Sequence, residues 1–162
     1  MSDSSGHRAG EIAFVLDPAQ ATNATLAFIG EVRSPWTDRA HCPRNLREAR
    51  ERGGAAEVHI ERVYRPALEG LVAGGWVHLL TWLQHSRRDL ALQMPRHADR
   101  PRGTFSLRSP VRPNPIGLHL VRIVDIDAAA GVLRIDAIDV LDGTPLLDIK
   151  PYLPSVDRPA EV

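Results

Sequence analysis

Two proline-bearing segments carry the residue types best suited to chemistry. The first runs Arg108-Ser109-Pro110-Val111-Arg112-Pro113-Asn114-Pro115-Ile116-Gly117. Each proline fixes its own φ and removes a backbone donor. Each also pushes the residue before it, here Ser109, Arg112 and Asn114, into an extended conformation. The result is a stiff loop that interrupts any strand ladder and presents Arg108, Arg112 and Asn114 from a rigid backbone. It serves either as a site or as a structural crossover. Gly117 then permits a close approach or a positive φ before the next strand. The second segment runs from Leu141 through Asp142-Gly143-Thr144-Pro145 to Lys150-Pro151-Tyr152. Asp148 and Lys150 share a face at strand spacing. They either pair with each other or meet the ammonium and carboxylate of a zwitterionic ligand. Thr144 to Leu147 offers backbone groups at a turn, which suits the reading of a base edge. Tyr152 either stacks on a ring or fills the core.

Other chemistries lack their signatures. There is no Gly-x-Gly-x-x-Gly, no phosphate-binding Walker loop and no Gly-x-Ser-x-Gly. Seven histidines are scattered without paired ligand spacing, and Cys42 is the single cysteine, so neither a metal site nor an internal disulfide is expected. The net charge is +0, which excludes nucleic-acid coating by bulk charge but permits a local basic face. Every cationic residue except Lys150 is an arginine, a side chain suited to phosphates and carboxylates.

The elements that must position these residues are mostly strands. Ala24 to Val32 reads as a strand ending at Arg33-Ser34-Pro35. Val58 to Val63 alternates weakly, and Trp76 to Leu83 is a mixed apolar run. Gly117 to Asp127 is long, with Leu118, Leu120, Val124 and Ile126 on one face and Val121 and Ile123 on the other. Such a strand is expected to be covered on both faces. Ala128 to Gly131 suits a hairpin loop. Val132 to Leu141 then changes phase at Ile138, which predicts a bulge or bend. Asp142-Gly143 marks a turn, and Leu147 and Ile149 alternate beyond it. Helix signals are short: Asn45 to Arg52, stopped by Gly53-Gly54, and one turn over Pro66 to Leu71. The fold class expected is mainly β, a small antiparallel β-barrel with a few short helices. The 162 residues suit one domain: an arm over 1–23, a barrel over 24–154 and a tail over 155–162. No run approaches the ~18 apolar residues of a membrane span. Residues 1–10 hold no apolar signal core, so a cytoplasmic protein is expected.

The segments 108–117 and 141–152 closely resemble motifs of the TsaA-like family, also called the TrmO, YaeB or VirR family. Ile29-Gly30-Glu31-Val32-Arg33-Ser34-Pro35 is similar to its N-terminal strand signature. Pro43-Arg44-Asn45 and His85-Ser86 fall where the family usually has Pro-Arg-Gln and His-Gln, so Asn45 and Ser86 are shorter than the usual glutamines. The stretch 86–102 is short and Arg-rich, and the chain stops soon after Tyr152. The resemblance covers about residues 26–154. It implies a β-barrel methyltransferase, usually a homodimer, that uses S-adenosylmethionine to methylate N6 of threonylcarbamoyl-adenosine beside the tRNA anticodon. It places the methyl donor near Pro43, Arg44, Asn45, His85, Ser86, Arg108, Leu118, Thr144, Pro145, Leu146, Leu147 and Asp148. Arg112, Asn114, Lys150 and Tyr152 are the expected substrate contacts.

That chemistry needs positioning and an acceptor for the proton that the urea-substituted nitrogen loses. Asp142, Asp148 and Lys150 are the candidates, and the sequence does not choose among them. The arginines suit RNA phosphates or the threonyl carboxylate. Two alternatives use the same donor: transfer to a small molecule or another RNA, and a non-catalytic module that senses S-adenosylmethionine.

Overall fold

A computed structural model gives the structure of the chain and describes residues 6–160. In chain order the elements are β1 (Ile12–Ala13), β2 (Gly30–Arg33), α1 (Leu46–Glu51), β3 (Ala56–Ile60), β4 (Trp76–Trp82), β5 (Leu90–Gln93), β6 (Arg102–Gly103), β7 (Ile116–Asp127), β8 (Val132–Ile135), β9 (Thr144–Pro151) and α2 (Pro154–Asp157). Contacts divide these into two units. The larger is Leu26–Trp82 with the chain from Gly117 onward; the smaller joins the described residues up to Thr25 with Leu83–Ile116.

Period-two alternation builds the larger unit. Alternate residues along its strands are buried: Val32 on β2, Val58 and Ile60 on β3, Val77 and Leu79 on β4, Val121 and Ile123 on β7 but not beyond, Leu133 and Ile135 on β8, and Leu146 on β9 but not beyond. The strands close into a barrel in the order β2-β3-β8-β7-β4-β9. Closure leaves no strand edge unpaired, and the apolar sides meet in one interior. The mainly β fold with few helices is therefore as expected.

Local signals explain the ends of α1. Asn45 is its N-cap, and its side chain accepts from the Glu48 amide at 3.0 Å. Gly53, at φ 68°, follows its last turn. The turn expected near Pro66 is a 3-10 helix over Arg62–Leu68, so the weak alternation from Val58 yields a strand only as far as Ile60.

Three expectations about strands need correction. The strand expected from Ala24 forms only over Gly30–Arg33; Leu26 and Phe28 are exposed, and an apolar run without a neighbouring strand makes no ladder. The strand expected over Val132 to Leu141 ends at Ile135. Beyond it Ala137, Ile138 and Val140 are buried in irregular chain, whose carbonyls are satisfied by side chains: Trp36 Nε1 donates to Ile138 O at 2.7 Å and Ser34 Oγ to Val140 O at 2.8 Å. The phase change marks the end of a strand, and the irregularity in register falls instead on β7, between Ile123 and Asp125. Finally, among the described residues no segment of the chain fully covers the outer face of β7. Val121 and Ile123 face the interior, whereas Leu118 and Val124 are 48% and 58% exposed.

The smaller unit contains a three-stranded sheet in the order β1-β5-β6. Within the segment expected as an arm, Ile12 and Ala13 pair with Leu92 and Leu90. A buried polar clip organises the rest. Gln93 Nε2 donates to Thr104 Oγ1 at 2.8 Å and to Val111 O at 2.6 Å, and Thr104 Oγ1 donates to Leu90 O at 2.6 Å.

Candidate functional site

The Asp142-Gly143 turn feeds β9. Gly143 takes φ 74°, a conformation that costs glycine little. Thr144 is buried, and its hydroxyl donates to Leu141 O at 2.7 Å. On β9, Leu146 pairs with Gly30 of β2 and Thr81 of β4, while Asp148 pairs with Leu80. The β4 register passes over Leu147, and pairing with β2 stops at Leu146, so a bulge sits in the Thr144–Asp148 stretch. A bulge interrupts pairing and re-aims side chains. Here strand chain is released from its ladder on the β4 side.

The three proton-acceptor candidates all have partners. Asp142 accepts from the Ser34 amide at 3.0 Å and lies 3.6 Å from the Arg33 guanidinium, which ties the turn to β2. Asp148 and Lys150 pair with each other at 3.1 Å, and Asp148 also accepts from the Ile149 amide. The mutual pairing is therefore the arrangement present. Tyr152 lies five residues beyond Leu147, about 17 Å along an extended chain, and packs edge-on against His78 with ring centroids 5.8 Å apart. The structure does not bring Tyr152 to the bulge.

Pro43 is buried and Arg44 is exposed. Asn45 is committed through its oxygen to capping α1, which leaves its amide nitrogen available. The Arg44 amide donates to Glu48 at 3.1 Å, and this bond is the main reason the Glu48 carboxyl sits below its ordinary range. Leu118 projects from the open face of β7.

In the smaller unit Arg108 is exposed and has no hydrogen bond or ion pair among the described residues. Arg112 behaves differently: its Nη1 donates to both Leu107 O and Ser109 O at 2.9 Å, bracing the proline loop from within. Asn114 Oδ1 accepts from Arg88. His85 is exposed, and Ser86 closes a turn by donating its amide to Leu83 O at 2.9 Å.

Sequence reading passed over one arrangement. Inside the barrel, His119 Nδ1 is 2.7 Å from Asp139 Oδ1 and Nε2 is 2.9 Å from Thr81 Oγ1. Thr81 is wholly buried and His119 is 5% exposed. The signal was parity: His119 shares its phase on β7 with Val121 and Ile123, so it had to point inward. Gly117 shares that phase too. A Cβ on Gly117 would stand 2.3 Å from Thr81 Oγ1 and 2.4 Å from His119 Nε2. Its φ is not positive, so close approach, not conformation, requires glycine there. Cys42 lies beside Asp139, its sulfur 3.5 Å from that residue's carbonyl oxygen, and burial followed by the Asp139 charge pushes the thiol up to about 11.

Among the described residues no cluster of His, Cys, Asp or Glu could hold a metal ion, and no helix is long and apolar enough to cross a membrane.

Comparison with known proteins places this geometry. Residues 31–158 match the model of the tRNA-methyltransferase O N-terminal domain. A probable S-adenosyl-L-methionine-binding protein, VirR of Rhizobium radiobacter, is 40% identical over 144 residues, 89% of this chain and 78% of that one. A tRNA (adenine(37)-N6)-methyltransferase of Eikenella corrodens is 53% identical over 60 residues, 36% of this chain and 34% of that one. The crystal structure of TrmO from Pseudomonas aeruginosa superposes with a TM-score of 0.67 at 31% identity, covering 87% of this chain. The chain spans 61% of the length of that structure. The match covers both proline-bearing motifs and every barrel strand, and the chain belongs to the tRNA-methyltransferase O N-terminal domain family.

Proposed function

We propose that the chain is an S-adenosylmethionine-dependent methyltransferase that modifies N6 of threonylcarbamoyl-adenosine beside the anticodon of tRNA. The observation that carries this reading is the family match over 31–158, which holds both motifs. Relatives named for S-adenosyl-L-methionine binding and for tRNA adenine-N6 methylation support donor and acceptor respectively.

The residues present fit the donor. A nucleoside joined to a zwitterionic amino acid needs apolar cover, backbone or amide groups for a base edge, and both signs of charge. The barrel offers Leu147, which the β4 register passes over, the half-buried Asp148, the exposed Leu118 and Arg44, and the amide nitrogen of Asn45, which makes no hydrogen bond among the described residues. In the smaller unit, taken by itself, His85 and Arg108 are exposed and Ser86 is half-buried. When bound, the donor supplies an electrophilic methyl group on a sulfonium. The chain's own tasks are to hold the acceptor in line, exclude water and receive a proton. Asp148 is the strongest acceptor among the three candidates, since Asp142 is committed to Ser34 and Arg33 and Lys150 is a cation paired to Asp148. Residues 83–116 carry seven arginines against Asp89 and Asp99. Arg96, Arg100 and Arg102 are exposed there, which suits phosphate contacts.

The open apolar face of β7, with Leu118 and Val124, supports a homodimer in which a second copy supplies the missing cover. Sedimentation at micromolar concentration tests it, and a monomer refutes it.

Labelled donor incubated with tRNA that carries or lacks the threonylcarbamoyl group tests the activity. Incorporation that requires the group supports the reading. The relatives named only for donor binding favour one alternative, a module that binds without transfer; tight binding with no incorporation into either tRNA would establish it instead.

A further inference from the structure

We infer that His119 is a positioning residue for the donor site, acting through the buried chain Thr81–His119–Asp139. The inference rests on the reading above, in which Leu118 and Thr144–Asp148 bind the donor.

A carboxylate only accepts, so the hydrogen between His119 and Asp139 sits on Nδ1. In the neutral ring this leaves Nε2 to accept from the Thr81 hydroxyl. The three groups then satisfy one another in a line, from hydroxyl to imidazole to carboxylate. Their order resembles a nucleophilic triad, but Thr81 is wholly buried and its oxygen reaches no substrate. The chain of bonds therefore acts on position.

What it positions follows from where its members sit. His119 adjoins Leu118 on β7. Thr81 is paired with Leu146, at the bulge of β9 that frees Leu147. Asp139 lies in the irregular stretch between β8 and β9 that leads to the Asp142-Gly143 turn. The two hydrogen bonds thus fasten β7, whose outer residue Leu118 is a donor contact, from inside the barrel to β4, which pairs with the bulge of β9, and to the stretch that leads into the Asp142-Gly143 turn. That stretch before β9 makes no ladder of its own; besides backbone bonds from Asp136 to Arg122 and from Ile138 to Gly54, the side chains of Trp36, Ser34 and His119 hold it. Gly117 leaves room for the arrangement, because any Cβ there would displace both Thr81 and His119.

The test measures affinity for S-adenosylhomocysteine by calorimetry and Tm on the same samples of full-length protein. Thr81→Val removes the hydroxyl with little change of shape. His119→Asn keeps a donor near Asp139 and loses the Thr81 bond, and His119→Ala loses both. Ile135→Val trims the barrel core on β8 without touching this chain of bonds. We expect Thr81→Val and His119→Asn to bind roughly three- to tenfold more weakly, the effect of one lost hydrogen bond. His119→Ala should be weaker than His119→Asn. Ile135→Val should lower Tm and leave affinity within about twofold. Folded Thr81 and His119 variants that bind as tightly as wild type overturn the inference, as does Ile135→Val losing affinity in proportion to its Tm. Wild-type protein that binds no S-adenosylhomocysteine refutes the donor reading itself, and this inference with it.

Discussion

Gly117→Ala is the smallest change that probes how the motif strand meets the barrel interior. The added Cβ would lie 2.3 Å from Thr81 Oγ1 and 2.4 Å from His119 Nε2, about 1 Å inside ordinary contact for each. Neither neighbour can retreat, because one is wholly buried and the other 5% exposed. Overpacking of this kind costs about 1–3 kcal/mol. Parting Thr81 from His119 leaves buried polar groups unsatisfied, at a further cost of about 1–3 kcal/mol. The expected loss is about 2–6 kcal/mol, which for a chain of this size, at about 2–4 °C per kcal/mol, lowers Tm by roughly 4–24 °C. Thermal unfolding followed by circular dichroism measures it. The same substitution in a His119→Ala background meets one obstacle fewer, so the double variant should fall short of the sum by about 1 kcal/mol or more. A single variant within about 2 °C of wild type, or strict additivity of the pair, refutes the steric account.

Arg108 and Arg112 should separate cleanly. Arg108→Ala removes no hydrogen bond or ion pair among the described residues and should leave Tm unchanged while weakening donor binding by about 1–3 kcal/mol; Arg112→Ala removes two bonds to loop carbonyls and should speed proteolysis of residues 107–115, and equal behaviour of the two contradicts this assignment. The Cys42 thiol, pushed up to about 11 chiefly by burial, should be alkylated at neutral pH about a hundredfold more slowly in the folded protein than in denaturant; equal rates would show the thiol to be accessible and unperturbed. Asp89 is held well below the ordinary carboxylate range, first by its bond to Arg87 and then, after an opposing effect of burial, by His7. Its folded value is lowered, so its contribution is present above about pH 4 and is lost as pH falls further. Asp89→Asn should flatten the stability profile below about pH 4, and an unchanged profile counts against the pairing.

Much of the barrel was legible because a strand's side chains alternate between faces with a fixed period. Trp76 to Trp82, the long strand to Asp127 and the hairpin at Gly131 all follow from that period and from turn residues. The same logic failed for Leu26 and Phe28. Apolar residues form a strand only where a partner strand lies alongside, and no local pattern supplies one. It failed again beyond Ile135, where burial continues without a ladder because Trp36 and Ser34, about a hundred positions earlier, satisfy the carbonyls.

For the candidate site the division is similar. By itself the sequence determined which residues stand on stiff or turning backbone: Arg108 at the start of the proline loop, Arg112 and Asn114 between its prolines, and Thr144 after Asp142-Gly143. These constraints are local, fixed by proline rings and by glycine's freedom at positive φ. Only the tertiary structure decided which of them have polar groups left to offer. Arg112 turns back on Leu107 and Ser109, Asn45 caps a helix, and Asp142 is claimed by Ser34 and Arg33, whereas Arg108 has no partner among the described residues. It also joined Thr81, His119 and Asp139, residues 38 and 20 positions apart. Alternation places each inward-facing residue on the core side but says nothing about which of the others it will meet. The order of strands around the closed barrel decides that.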